Sequence, residues 1–154
     1  MVREILLLAA VLALAFTASC TLYHKELDTN PAYSDHQFRY YDLEIAWRAE
    51  QTDGTLRLTG TVNNLRSDYL WDMELTSRLV GRDGKVFARQ TYADFPTYLA
   101  PGKPESFRME FRLVPGTQPE RIHFTYNYWP VEAAPRFRGN VGDTPVFGSF
   151  DAPP

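Results

Sequence analysis

The chain has 154 residues, a formal charge of −3 and one cysteine. A lone cysteine excludes an internal disulfide and any zinc or iron–sulfur site built on several thiolates; the mildly acidic balance argues against general nucleic-acid binding, which wants a basic patch. With 10 Phe, 9 Tyr and 3 Trp, the core of a small domain without disulfides has to be built largely from rings, each burying a large area.

The first predicted element is an export segment. The N-terminal amine and Arg3 precede the apolar run Ile5 to Phe16, which falls within the roughly 7–15 residues of a signal-peptide core and is short of the about 20 needed to span a bilayer. Thr17, Ala18 and Ser19 are small, and Cys20 follows. This order resembles a bacterial lipoprotein signal. The resemblance implies removal of residues 1–19 and acylation of Cys20 at its sulfur and new amine, a palmitate-type membrane anchor. Each buried methylene contributes about 0.8 kcal/mol and one chain alone binds reversibly, so a multiply acylated Cys20 is what holds the protein at the surface. A plain secretory signal and a retained N-terminal anchor are the alternatives. Thr21, where an Asp would mark inner-membrane retention, favours the outer membrane facing the periplasm in a Gram-negative envelope.

Residues 20–37 are polar, contain Pro31 and have no sustained period; they are expected to form a tether. His24 and His36 lie here, and no spacing brings them together as metal ligands. Period-two alternation then begins. Tyr41, Leu43, Ile45 and Trp47 alternate with Asp42, Glu44, Ala46 and Arg48. Asp53-Gly54 is a turn that takes positive φ, and Leu56, Leu58, Gly60 and Val62 form the returning strand. Gly60 inside it signals a bulge or a close backbone approach. After the polar connection Asn63 to Asp68, Trp71, Met73, Leu75, Ser77 and Leu79 alternate with Asp72, Glu74, Thr76 and Arg78. Gly81 to Lys85 is a second hairpin turn, and Val86 to Tyr92 the strand that returns from it. Pro96, Pro101 and Pro104 punctuate a longer connection. Phe107, Met109, Phe111 and Leu113 make another inward row, Pro115-Gly116 another turn, and Ile122, Phe124, Tyr126 and Tyr128 a last one.

These short strands and turns predict an all-β fold, an immunoglobulin-like antiparallel β-sandwich of about six to seven strands spanning 38–130. A small antiparallel barrel is the alternative. Trp47 and Trp71 are the expected core anchors. The Pro/Gly-rich tail, 131–154, is expected to be mostly irregular; Phe137 is scattered within it, and Val146 to Phe150 either docks as an edge strand or meets a partner.

The middle of the chain carries a second resemblance. Leu58-Thr59-Gly60-Thr61-Val62-Asn63-Asn64, the Leu79 to Lys85 strand and turn, and the Leu99-Ala100-Pro101-Gly102 corner before Phe107 are similar to exported FxLYD-type domains and the related late-embryogenesis-abundant type 2 sandwiches. Val80-Gly81 stand where the former carry Tyr-Asp. The resemblance implies a β-sandwich and no particular activity, because sandwiches host many roles.

Chemistry is sparse. No phosphate-cradling glycine motif, Gly-x-Ser-x-Gly elbow or His-Glu-x-x-His run occurs, and no metal, nucleotide or redox cofactor is indicated. His123 reads as a surface histidine. Asp72 and Glu74, two apart on one face, are the sole carboxylate pair of interest, with a solvated face as the plainer reading. Arg108, Glu110 and Arg112 read as cross-strand salt pairs. Phe95 and Tyr98, in the proline-rich connection, are the candidate partner-contact loop, with plugging the end of the sandwich as their rival role. The expected function is therefore a lipid-anchored, non-catalytic envelope protein that binds or positions another envelope component. A carrier of small apolar ligands is the alternative, and a hydrolase stands third.

Overall fold

A computed structural model describes residues 36–132 and 144–154. Cys20, the signal segment, the tether as far as residue 35 with His24, and Phe137 lie outside the described residues. The fold is all-β, two antiparallel sheets packed as a sandwich.

The first sheet runs in the order β1-β2-β3-β7: β1 His36–Arg39, β2 Leu43–Thr52, β3 Thr55–Asn64 and β7 Glu105–Arg112. The second runs β5-β4-β8-β9: β4 Tyr69–Val80, β5 Val86–Tyr92, β8 Arg121–Val131 and β9 Val146–Ala152, with the two-residue β6 Tyr98–Leu99 pairing β4. The Asp-Gly hairpin forms as its chemistry requires. Asp53 has φ 44° and Gly54 φ 75°, the left-handed pair that matches strand twist in a two-residue loop.

Alternation decides what is inside. Leu43, Ile45 and Trp47 of β2 are wholly buried, and Phe107, Met109 and Phe111 of β7 nearly so. Trp47 packs across the sandwich on Phe124 and Phe150, with ring centroids 5.0 and 5.7 Å apart. Gly60 sits between Trp47 and Phe107 in the register. A Cβ there would run into the Ala46 carbonyl oxygen and come within 2.8 Å of the Phe107 ring, so the strand glycine marks a close backbone approach.

Three features depart from simple alternation. Residues 36–39, half of which fall in the expected tether, form β1 because Phe38 stacks on Phe150 at 3.6 Å and is 1% exposed. Residues 146–152 form β9, paired along β8 from Tyr128↔Val146 to Ile122↔Ala152, so the sheet continues beyond residue 130. In β4 the register with β8 shifts between Trp71 and Glu74, with Asp72 in the left-handed region at φ 54°. The extra residue of this bulge changes the strand's phase. Leu70 and Met73 point into the core, and Trp71 does not. The expectation that Trp71 anchors the core is corrected here; Leu70 takes that place.

Candidate functional site

Two places draw polar and aromatic groups together. The first is the outer face of the second sheet. Because the bulge turns Trp71 outward, it lies beside Tyr98 on β6 and Trp129 on β8. The two indole rings are 6.3 Å apart at 48°, and all three side chains are half-buried. The adjoining register row is Glu74, Asn127 and Phe147, with Asn127 Nδ2 donating to Glu74 Oε2 at 3.2 Å and Phe147 71% exposed. Beyond it come Thr76 and Thr91, whose hydroxyls meet at 2.7 Å, and then His123, whose Nδ1 lies 2.7 Å from Asp151 Oδ1. The face is thus an aromatic end grading into amide, carboxylate and hydroxyl groups.

The carboxylate pair separates. Asp72 is exposed at the bulge, its backbone N–H donating to the Thr97 carbonyl at 3.2 Å, while Glu74 is engaged by Asn127. The candidate loop divides as well. Phe95 is 9% exposed, belongs to the core and meets Tyr92 edge-on at 4.7 Å. It plugs the sandwich, while Tyr98 stays on the outer aromatic row. Arg57 and Arg108 both reach Glu110 Oε1, and these hydrogen bonds hold the Glu110 carboxyl below its usual range.

The second place is a buried polar cluster beside the β1–β2 turn. Tyr40 N–H donates to Leu43 O at 2.8 Å and closes that turn, which leaves Tyr41 64% exposed and Asp42 1% exposed. Alternation had put Tyr41 inside and Asp42 outside. Asp42 is held by the Leu65 N–H on its carbonyl at 2.9 Å and by the Tyr128 hydroxyl, which donates to Oδ2 at 2.6 Å. Its Oδ1 is buried with no hydrogen-bond partner. Burial, then the neighbouring Asp42 carboxylate, pushes the hydroxyls of Tyr126 and Tyr128 well above the ordinary tyrosine value. Arg66, close to Tyr128, pairs with Asp68 at 3.3 Å; burial pulls the guanidinium's pKa down, but the Asp68 hydrogen bond and the neighbouring Tyr128 together outweigh it and raise the pKa. Tyr40, Tyr41, Asp42, Tyr126, Phe147 and Gly148 help line a pocket of about 360 Å³. Gly148 is required there: a Cβ would collide with the Tyr126 phenol.

Asn64 ties these regions to the frame. It is wholly buried, and its Nδ2 donates to Asp68 O at 2.7 Å and Leu99 O at 3.1 Å, while Oδ1 accepts from Arg66 N–H at 2.9 Å. One side chain so positions the Arg66 loop and the strand end that carries Tyr98. Between the sheets lies a core of packed aromatic and aliphatic side chains. A depression of about 580 Å³ at the β4–β5 turn is lined by Arg82, Asp83, Lys85 and Phe87 among others, and no buried side-chain polar atom of these four lacks a partner. Among the described residues, no group of three or more His, Cys, Asp or Glu is placed to hold a metal.

Sequence reasoning missed Asp42, Tyr126, Tyr128 and Trp129 as site residues. The signal available was the Tyr40-Tyr41-Asp42 turn itself, short and aromatic ahead of a strand. Compared with family models and with curated proteins, the chain matches none.

Proposed function

We propose that this is a lipid-anchored envelope protein, held by an acylated Cys20, that acts by binding a protein partner through the outer face of its second sheet rather than by catalysis. The reading keeps the FxLYD-type resemblance and the outer-membrane placement as part of the same proposal. The observation that carries it is the row Tyr98–Trp71–Trp129. Aromatic side chains on an outward sheet face are costly to leave in water. They are also the residues that dominate interface energies, where truncating one central ring costs 2 kcal/mol or more, roughly a thirtyfold loss of affinity. The neighbouring Glu74–Asn127 pair and the threonine hydroxyls supply the polar rim such interfaces use.

The test is photo-crosslinking in cells at native expression. A crosslinking residue in place of Tyr98 is expected to give one discrete adduct that is lost in Trp71→Ala and reduced in Cys20→Ala, which frees the chain from the membrane. The same probe in place of Arg57, on the outer face of the other sheet, should give no such adduct. Equal adducts from both faces, or none from Tyr98, would remove the proposal.

A further inference from the structure

The β4–β5 hairpin carries charge of the opposite sign to the chain as a whole. Between residues 78 and 89 stand Arg78, Arg82, Lys85 and Arg89 against the single carboxylate of Asp83, in a protein of formal charge −3. Arg78 and Arg89 are directly opposite in the register, a placement that like charges disfavour. Among the described residues no ion pair engages either of them or Arg82, and Lys85 has only Asp83, at 3.5 Å. The hairpin shows apolar surface as well. Leu79 pairs with Ala88 and Val80 with Val86, which leaves Phe87 as an extra residue. Such a bulge re-aims side chains, and Val86 and Phe87 are both exposed, at 52% and 37%. Val114, 67% exposed, belongs to the same end of the sandwich: Leu113 N–H donates to Gly54 O at 2.6 Å and Glu120 N–H to Val80 O at 2.8 Å. The other carboxylates at this end, Asp53, Glu120 and Asp151, lie outside the hairpin, and Asp151 is held by Arg121 and His123.

We infer that this hairpin rests on an anionic lipid surface, its cations among the headgroups and Val86 and Phe87 entering the interface. The inference rests on the proposed acylation of Cys20, since the bilayer that holds Cys20 is the surface in question. Three observations select that occupant. Strand β1 is antiparallel to β2, with His36 opposite Trp47, so the N-terminal end of β1 points toward the Asp53–Gly54 turn, the end that carries the hairpin. Residues 20–35 reach at most ~55 Å even fully extended, which keeps the folded body near its anchor. Charge is complementary: each Lys or Arg close to an anionic leaflet strengthens binding roughly fivefold, an effect that falls off within a Debye length. The depression of about 580 Å³ between the hairpin and Gly116 to Gln118 leaves an open recess beside Arg82 and Lys85, with room for a headgroup. Along β4, Trp71 stands roughly 30 Å from Val80. A body standing on its hairpin therefore holds the row Tyr98–Trp71–Trp129 clear of the bilayer.

The test uses the full acylated chain in vesicles of phosphatidylcholine with phosphatidylglycerol. An environment-sensitive dye is placed on Val86→Cys and, as control, on Tyr41→Cys at the opposite end of β2; acylated Cys20 takes no label. The Val86 dye is expected to shift to the blue and to be quenched by lipids that carry a quencher near the headgroup, and the Tyr41 dye to do neither. Arg82→Glu combined with Arg89→Glu, both at exposed positions, should abolish the shift while the chain still floats with the vesicles. Phosphatidylcholine alone, or added salt, should weaken it. Flotation reads the anchor separately. A wild-type chain that floats without a shift at Val86 overturns the inference and leaves the anchor standing. A chain that does not float, its Cys20 bare by mass, removes the anchor and this inference with it. Equal quenching of both dyes, a shift unchanged by charge reversal, or a crosslink in cells from position 86 to a protein rather than to lipid would also overturn it.

Discussion

Asn64→Ala is the sharpest test of how the sandwich holds its functional end. The substitution removes three hydrogen bonds at a wholly buried position. The Leu99 carbonyl is left in a buried site, a penalty of about 2 kcal/mol within the range for an unmade buried acceptor. The Asp68 carbonyl and Arg66 N–H are only partly buried, so water recovers part of each loss, leaving about 1 kcal/mol apiece. The sum is about 4 kcal/mol, large beside the 5–15 kcal/mol that typical domains possess. In a domain of this size it corresponds to roughly 10–20 °C in Tm. Asn64→Asp is nearly isosteric and sharper still. It replaces two donors by a carboxylate facing two carbonyl oxygens. The native state then favours the protonated acid, so its pKa lies above the unfolded value near 4. The deficit relative to wild type is therefore smallest below about pH 4 and grows as pH rises through and beyond it. Urea denaturation followed by tryptophan fluorescence at pH 4 and pH 7 reads both variants. The Arg66 amide should also exchange hydrogen faster in Asn64→Ala. A loss under about 1 kcal/mol for Asn64→Ala, or identical pH dependence for the two variants, would refute the reasoning.

Four further outcomes follow. Phe150→Ala removes a 9%-exposed ring that stacks on Phe38 and Phe124 and touches Trp47; it should cost about 3–5 kcal/mol, measured by urea midpoint, and release β9 to proteolysis. Gly60→Ala drives a Cβ into the Ala46 carbonyl and should cost about 1–3 kcal/mol or more, whereas the exposed Gly84, with nothing near its added Cβ, lacks that clash. Because Tyr126 and Tyr128 are buried as neutral phenols with raised pKa values, their stabilisation is complete below the unfolded value near 10 and is lost as pH rises above it, by about 1.4 kcal/mol per pH unit for each. Tyrosinate absorbance for these two should appear together with loss of the β-sheet spectrum. Mass spectrometry of the mature protein should find Cys20 as the first residue carrying acyl mass; a bare thiol there would remove the anchor from the proposal.

The strands that were legible in the sequence are those where one face is apolar over several alternations. Leu43, Ile45 and Trp47, or Phe107, Met109 and Phe111, state their orientation without help, and Asp53-Gly54 states its turn. Strand β1 was hidden because four residues hold a single deeply buried ring, Phe38, whose partner lies at the far end of the chain. Strand β9 was ambiguous for the same reason: Phe147, Gly148 and Phe150 alternate, but only contact with β8 says which of them turns in. Trp71 was placed on the wrong face because a period-two count carries no information about an inserted residue, and Asp72 has a side chain that gives no glycine-like warning of its positive φ. The Tyr40-Tyr41-Asp42 turn was visible in the sequence, but the burial of Asp42 was not. A buried carboxylate is permitted only by the hydroxyl that meets it, and Tyr128 stands 86 positions away. Hydrophobicity assigns Asp to the surface before such a partner is known.

The bulge at Asp72 makes one position a selector for an entire surface. Kept in the chain but paired flat, Asp72 would carry strict two-fold pleating from Met73 back through residue 71 and rotate that indole inward, where Leu70 and Leu99 already occupy the volume. The chain would then have to surrender either its interior fit or its display of rings to the outside. Deleting Asp72 takes away the extra residue itself and is expected to leave Leu70 inward and Trp71 on display.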